Sequence, residues 1–237
     1  MLSILFLGFL IGMQHAMEAD HVAAVASLAT HSRSIGETAR QGMAWGVGHT
    51  LTLFLFAGLV LMLDTLMPER FAQFLELFVG FMLLLLGIDV LRRLIRERVH
   101  FHLHRHGDLI HLHAHSHASG MHHERDPHNH RHLENFPFRA LFVGMMHGMA
   151  GSAALIILAL ESVASPLQGM LYILLFGFGS IAGMALLAAV ISLPLRYSAR
   201  SLTWAHNSLK ALVGVVTIGL GGVLIYELGV VQGLLLF

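Results

Sequence analysis

The chain has 237 residues, of which 56% are hydrophobic and 12% charged, with a mean hydropathy of +0.71. That profile excludes an ordinary soluble protein and indicates an integral membrane protein. Cysteine is absent and the formal net charge is zero, so thiolate metal sites, disulfides and thiol redox carriers are excluded.

Crossing a bilayer core takes about 20 mostly apolar residues. Six stretches qualify: 2–29, 41–63, 71–91, 138–161, 167–193 and 207–236. The first opens MLSILFLGFLI with no basic n-region, and we read it as a retained helix. Its later part, GMQHAMEADHVAAV, places His15, Glu18, Asp20 and His21 within seven residues. Ionisable side chains at bilayer depth cost roughly 2.5 kcal/mol or more each, so their presence demands a function. On a regular helix His15 and His21 would stand about 120° apart, with Asp20 facing almost away from both. Bringing three such ligands to one ion requires the helix to unwind near 16–20, as broken helices in transporters do. Otherwise one residue supports the others, with Asp20 fixing a histidine tautomer. Glu18 is a ligand, a proton acceptor or a residue facing the cavity.

Span two opens with QGM and carries His49 in GVGHT, about 12 Å along its axis. Span three contains VGFMLLLLG. The polar connection 92–137 follows and holds thirteen of the nineteen histidines, in alternations such as HFHLHRH and HLHAHSH. We expect it to be exposed, largely disordered and metal-collecting. Span four carries His147 in GMMHGM, about 14 Å along, span five again opens with QGM, and span six contains VGVVTIGLG. Glu76, Asp89 and Glu161 lie near span ends, where interfacial solvation accounts for them.

Thirteen of the fourteen Lys and Arg residues fall in or beside the loops after spans one, three and five, leaving only Arg70 opposite. By the positive-inside rule both termini are outside and the histidine loop is cytoplasmic. The halves also match in order. GMQHAM at 12–17 answers GMMHGM at 144–149, QGM at 41–43 answers QGM at 168–170, and Gly80/Gly87 answer Gly214/Gly221. The expected fold is therefore an all-α integral membrane protein, with six transmembrane helices in two inverted three-helix repeats, 1–91 and 138–237, joined by the loop 92–137. Inverted repeats place a transporter's site near the midplane. The GxxxG pairs at Gly8/Gly12, Gly42/Gly46, Gly144/Gly148 and Gly179/Gly183 let helices approach closely.

Imidazole and carboxylate without thiolate suit borderline divalent ions such as nickel, cobalt or zinc. The candidate metal residues are His15, Glu18, Asp20, His21, His49 and His147. With these residues in view, HAMEADH resembles the His-x4-Asp-His signature of the nickel/cobalt transporter (NiCoT/NicO) superfamily. GVGHT and MMHGMAGSAAL resemble later motifs of its UreH-like, urease-accessory branch. The resemblance implies passage of Ni²⁺ or Co²⁺ as cargo across the inner (plasma) membrane, with no resident cofactor and no catalysis. It implies that His15, Asp20 and His21 are essential, with His49 and His147 as additions. Cytoplasmic nickel-handling or urease-maturation proteins are the implied partners. The superfamily's typical eight spans exceed the six expected here, and a histidine-rich loop also occurs in its efflux branch, so efflux stands beside import. Two further readings are a non-transporting membrane metal buffer or sensor and a metallohydrolase using His15, Glu18 and His21. The absence of HExxH speaks against the hydrolase.

Overall fold

The computed structural model of the protein describes residues 2–32, 34–63, 68–96, 99–106, 109–116, 137–150, 166–201 and 203–235. The helices are α1 (Leu2–His15), α2 (Ala19–Ala29), α3 (Ile35–Leu63), α4 (Glu69–Arg96), α5 (Phe138–Ala150), α6 (Pro166–Ser201) and α7 (Thr203–Tyr226), the last running into a π turn at Glu227–Val231. Two short strands, β1 (Val99–His106) and β2 (Leu109–Ser116), lie between α4 and α5.

Local sequence sets several of the boundaries. Ser34 and Glu37 stand three apart at the start of α3, and the Glu37 amide donates to Ser34 Oγ at 3.0 Å, which is half of a capping box. Pro68 and Pro137 immediately precede α4 and α5, and Pro166 opens α6, where a missing N–H costs nothing.

Among the described residues four helical stretches are long and apolar enough to cross a membrane: Ile35–Leu59, Glu69–Arg96, Leu167–Ala199 and Thr203–Val231. The chain is thus a helical, multi-pass membrane protein. The stretch expected as one span over 2–29 is instead two short helices, because the backbone leaves the α-helix at 16–18. The fourth expected span is described only as far as Ala150, and 151–161 lie outside the described residues.

Of the connection 92–137, residues 97–98, 107–108 and 117–136 lie outside the described residues. Helix α4 runs on to Arg96, and 99–116 contains an antiparallel pair with Val99 opposite Ser116 and His106 opposite Leu109. That register sets His100 opposite His115, His102 opposite His113 and His104 opposite His111.

At the centre lies α2, whose residues His21 and Ala23–Ala29 are all buried. Its small side chains let α3, α4, α6 and α7 close around it. Ser27 and Thr217 of α7 share a hydrogen bond of 3.0 Å in this otherwise apolar core. Elsewhere the helices meet backbone to backbone at glycines. Gly12 seats on Phe176 and Gly144 on Trp45; Gly179 seats on Phe9 and Gly48 on Leu141. Gly46 meets Ile181, and Gly177 meets Thr50. In the last pair of helices Gly80 faces Gly221 and Gly87 faces Gly214.

Where α4 meets α5, Asp89 accepts hydrogen bonds from Arg139 Nη2 (2.7 Å) and Arg93 Nε (3.2 Å). Ion pairing therefore supplements the solvation expected for Asp89. His31, 3.8 Å from the same carboxylate, is held below its ordinary pKa by burial and by the two guanidinium groups, and so is neutral at pH 7.

Candidate metal centre

The interruption after His15 builds the site. Met17 and Glu18 donate to carbonyls three residues back, Gln14 at 2.9 Å and His15 at 3.1 Å, closing α1 with tight turns. Glu18 then adopts an extended backbone (φ −63°, ψ 149°) as the residue before α2. His15 thereby ends one helix and Asp20 opens the next. An anion at a helix N-terminus matches the helix dipole. The break cancels the angular separation that a continuous helix would impose, so His15, Asp20 and His21 reach one place.

Two other helices complete the cluster. His49 comes from α3 and His147 from α5, and the flanking glycines bring them together. Gly144 packs on the Trp45 backbone and Gly148 on that of His49, so α5 lies against α3 with no intervening side chains. His21, His49 and His147 are 1%, 0% and 2% exposed. The imidazole of His21 stands 4.4 Å from that of His15, 4.2 Å from that of His147 and 5.2 Å from that of His49, centre to centre.

Hydrogen bonds order these rings. His21 Nδ1 donates to Asp20 Oδ1 at 2.9 Å, and His147 Nε2 donates to Asp20 Oδ2 at 3.1 Å. On the other side His15 Nδ1 donates to Glu18 Oε1 at 2.9 Å, while the Nε2 atoms of His15 and His49 share a proton across 3.2 Å. This leaves His21 Nε2, His49 Nδ1 and His147 Nδ1 buried without a hydrogen-bond partner. Buried polar atoms are rarely left so. Buried imidazole nitrogens without partners are suited to receiving a metal ion.

Among the described residues two groups have donor atoms mutually within 4.8 Å: His15, His21 and His49; and Asp20, His21 and His147. Five of the six residues expected from the sequence therefore come together. The sixth, Glu18, is in neither group. Its side chain is 56% exposed and grips the far nitrogen of His15, the arrangement by which a carboxylate fixes a metal-binding histidine's tautomer. Sequence reasoning missed Trp45, which is fully buried with its ring 5.2 Å from His21 and 5.6 Å from His147. Its place one helical turn before His49 was the available signal. Phe176, 5.2 Å from His15, closes the opposite side.

Over 237 residues, covering 99% of this chain and 95% of its relative, the sequence is 34% identical to the urease accessory protein UreH of Bacillus sp. (strain TB-90). The chain belongs to the UreH family. This is the UreH-like branch of the nickel/cobalt transporter superfamily that HAMEADH and GVGHT resemble. By its name the relative is a urease accessory protein. No family model matches the chain, and no solved structure does.

Proposed function

We propose that this UreH-family protein carries Ni²⁺ or Co²⁺ across the plasma membrane, the ion being held in transit by His15, Asp20, His21, His49 and His147. The observation carrying this reading is the gathering of five metal-binding side chains at a broken helix, with three imidazole nitrogens buried and unpartnered. A buffer or sensor needs no such arrangement inside the membrane core. The relative's role as a urease accessory protein supports nickel as cargo, and cytoplasmic nickel-handling or urease-maturation proteins as recipients. Transport into proteoliposomes of known orientation tests it. Saturable Ni²⁺ or Co²⁺ flux above that of protein-free vesicles is expected, and no flux of either ion in either direction would refute it.

Six spans in two inverted repeats are part of the same proposal, and the glycine contacts support them. Exchange the halves so that Gly12 becomes Gly144, Phe9 becomes Leu141 and Gly48 becomes Gly179. The Gly144–Trp45 contact then maps onto Gly12–Phe176, and Gly48–Leu141 onto Gly179–Phe9. Likewise Gly46–Ile181 exchanges with Gly177–Thr50, and Gly80–Gly221 with Gly214–Gly87. Reciprocity of this kind is what a two-fold relation in the membrane plane produces. It aligns GVGHT with GFGSI, about one helical turn from the register that the two QGM matches suggest, and sets Ser180 opposite His49.

The basic residues orient the whole with the histidine-rich connection cytoplasmic. Because the chain has no cysteine, Ser116→Cys introduces a single thiol. An impermeant maleimide should label it only after cells are opened, and labelling of intact cells would invert the topology.

A further inference from the structure

The five candidate ligands fall into two overlapping groups rather than one. Their donor atoms fall into two three-residue groups, His15/His21/His49 and Asp20/His21/His147, each mutually within 4.8 Å. His21 alone belongs to both. Its ring lies within 4.4 Å of His15's and 4.2 Å of His147's, centre to centre, and its Nε2 has no partner.

We infer, on the basis of the transport reading above, that the centre is two successive stations for one divalent ion, handed over at His21. The first station is three neutral imidazoles. The second replaces two of them with the Asp20 carboxylate and the His147 imidazole. A bare divalent ion in an apolar core is prohibitively unstable. Exchange around a retained His21 lets the ion shed His15 and His49 as it gains Asp20 and His147, so it never loses all protein ligands. Because both stations use His21, they are filled in turn, one ion per chain.

The chain reports on its own occupancy. Of its two tryptophans, Trp45 packs on His21, His49 and His147, while Trp204 is 66% exposed. A full-length Trp204→Phe protein therefore emits from beside the cluster, and Co²⁺, an open-shell ion, should quench it saturably. In this background His49→Ala spoils only the first station and His147→Ala only the second. Each should still be quenched, with apparent affinity lowered roughly 10- to 100-fold, while Co²⁺ flux in proteoliposomes falls to the protein-free level. His21→Ala should be neither quenched nor active. Its intact histidine-rich segment also measures any quenching from that source. His49→Gln and His147→Gln, which keep volume and a hydrogen-bonding end, repeat the test should an alanine variant misfold. Loss of quenching in either single variant equal to that in His21→Ala would mean one site. Parental flux in either single variant would take that station off the route. A parent protein with no saturable quenching and no flux would sink the transport reading together with this one.

Discussion

His21→Ala is expected to abolish saturable transport while the protein remains inserted. Its imidazole is the common member of both candidate groups, so one substitution takes a donor from each. Losing even a residue that supports a ligand costs 10- to 100-fold in metal affinity, and losing the shared ligand should cost roughly 100-fold or more. The fold should tolerate the change, because the side chain's one hydrogen bond is to its neighbour Asp20 and its Nε2 bonds nothing. His15→Ala should behave alike. Asp20→Asn should impair transport less completely, since the amide keeps the shape but loses the charge that favours a cation. Ligating histidines must be deprotonated, so residual and wild-type transport should both weaken as pH falls. Wild-type rates and affinity for Ni²⁺ and Co²⁺ in both His15→Ala and His21→Ala would leave the stretch as a buried hydrogen-bonding network with no part in permeation.

The second large effect is predicted at a residue that binds nothing. A Cβ at Gly144 would run into the carbonyl of Trp45, and backbone cannot step aside as a flexible side chain can. Gly144→Ala should therefore lift α5 from α3, pulling His147 from Asp20 and displacing Gly148 from His49. Overpacking of this kind costs about 1–3 kcal/mol, and a ligand displaced by 1 Å is as damaging as one removed. Thermal unfolding in detergent should show a lowered Tm, and transport should be lost. Gly219→Ala is the control, because no atom lies within 4 Å of a Cβ there. In a helix that change should be neutral or stabilising by up to about 1 kcal/mol. Equal Tm values and rates for the two variants would mean that close approach at Gly144 does not hold the site together.

Chemistry and solvent are both legible in the order of residues. The apolar runs specify a membrane protein, because burial in lipid is read residue by residue from composition. Histidine and carboxylate without cysteine favour borderline over soft metal ions, since ligand type sets that preference. The strain of placing His15, Asp20 and His21 on one helix was also legible, because helical angles are local.

Tertiary structure alone decided the rest. Where α1 stops depends on α3, α5 and α6 closing around residues 15–21, and no local propensity in HAMEAD encodes that. The meeting of His49 with His147 depends on α5 settling against α3 at Gly144 and Gly148, a contact across about a hundred residues of chain. Trp45 became a wall of the centre for the same reason: on a membrane helix an aromatic residue facing lipid and one facing the site look identical in sequence, and only the neighbouring helices distinguish them.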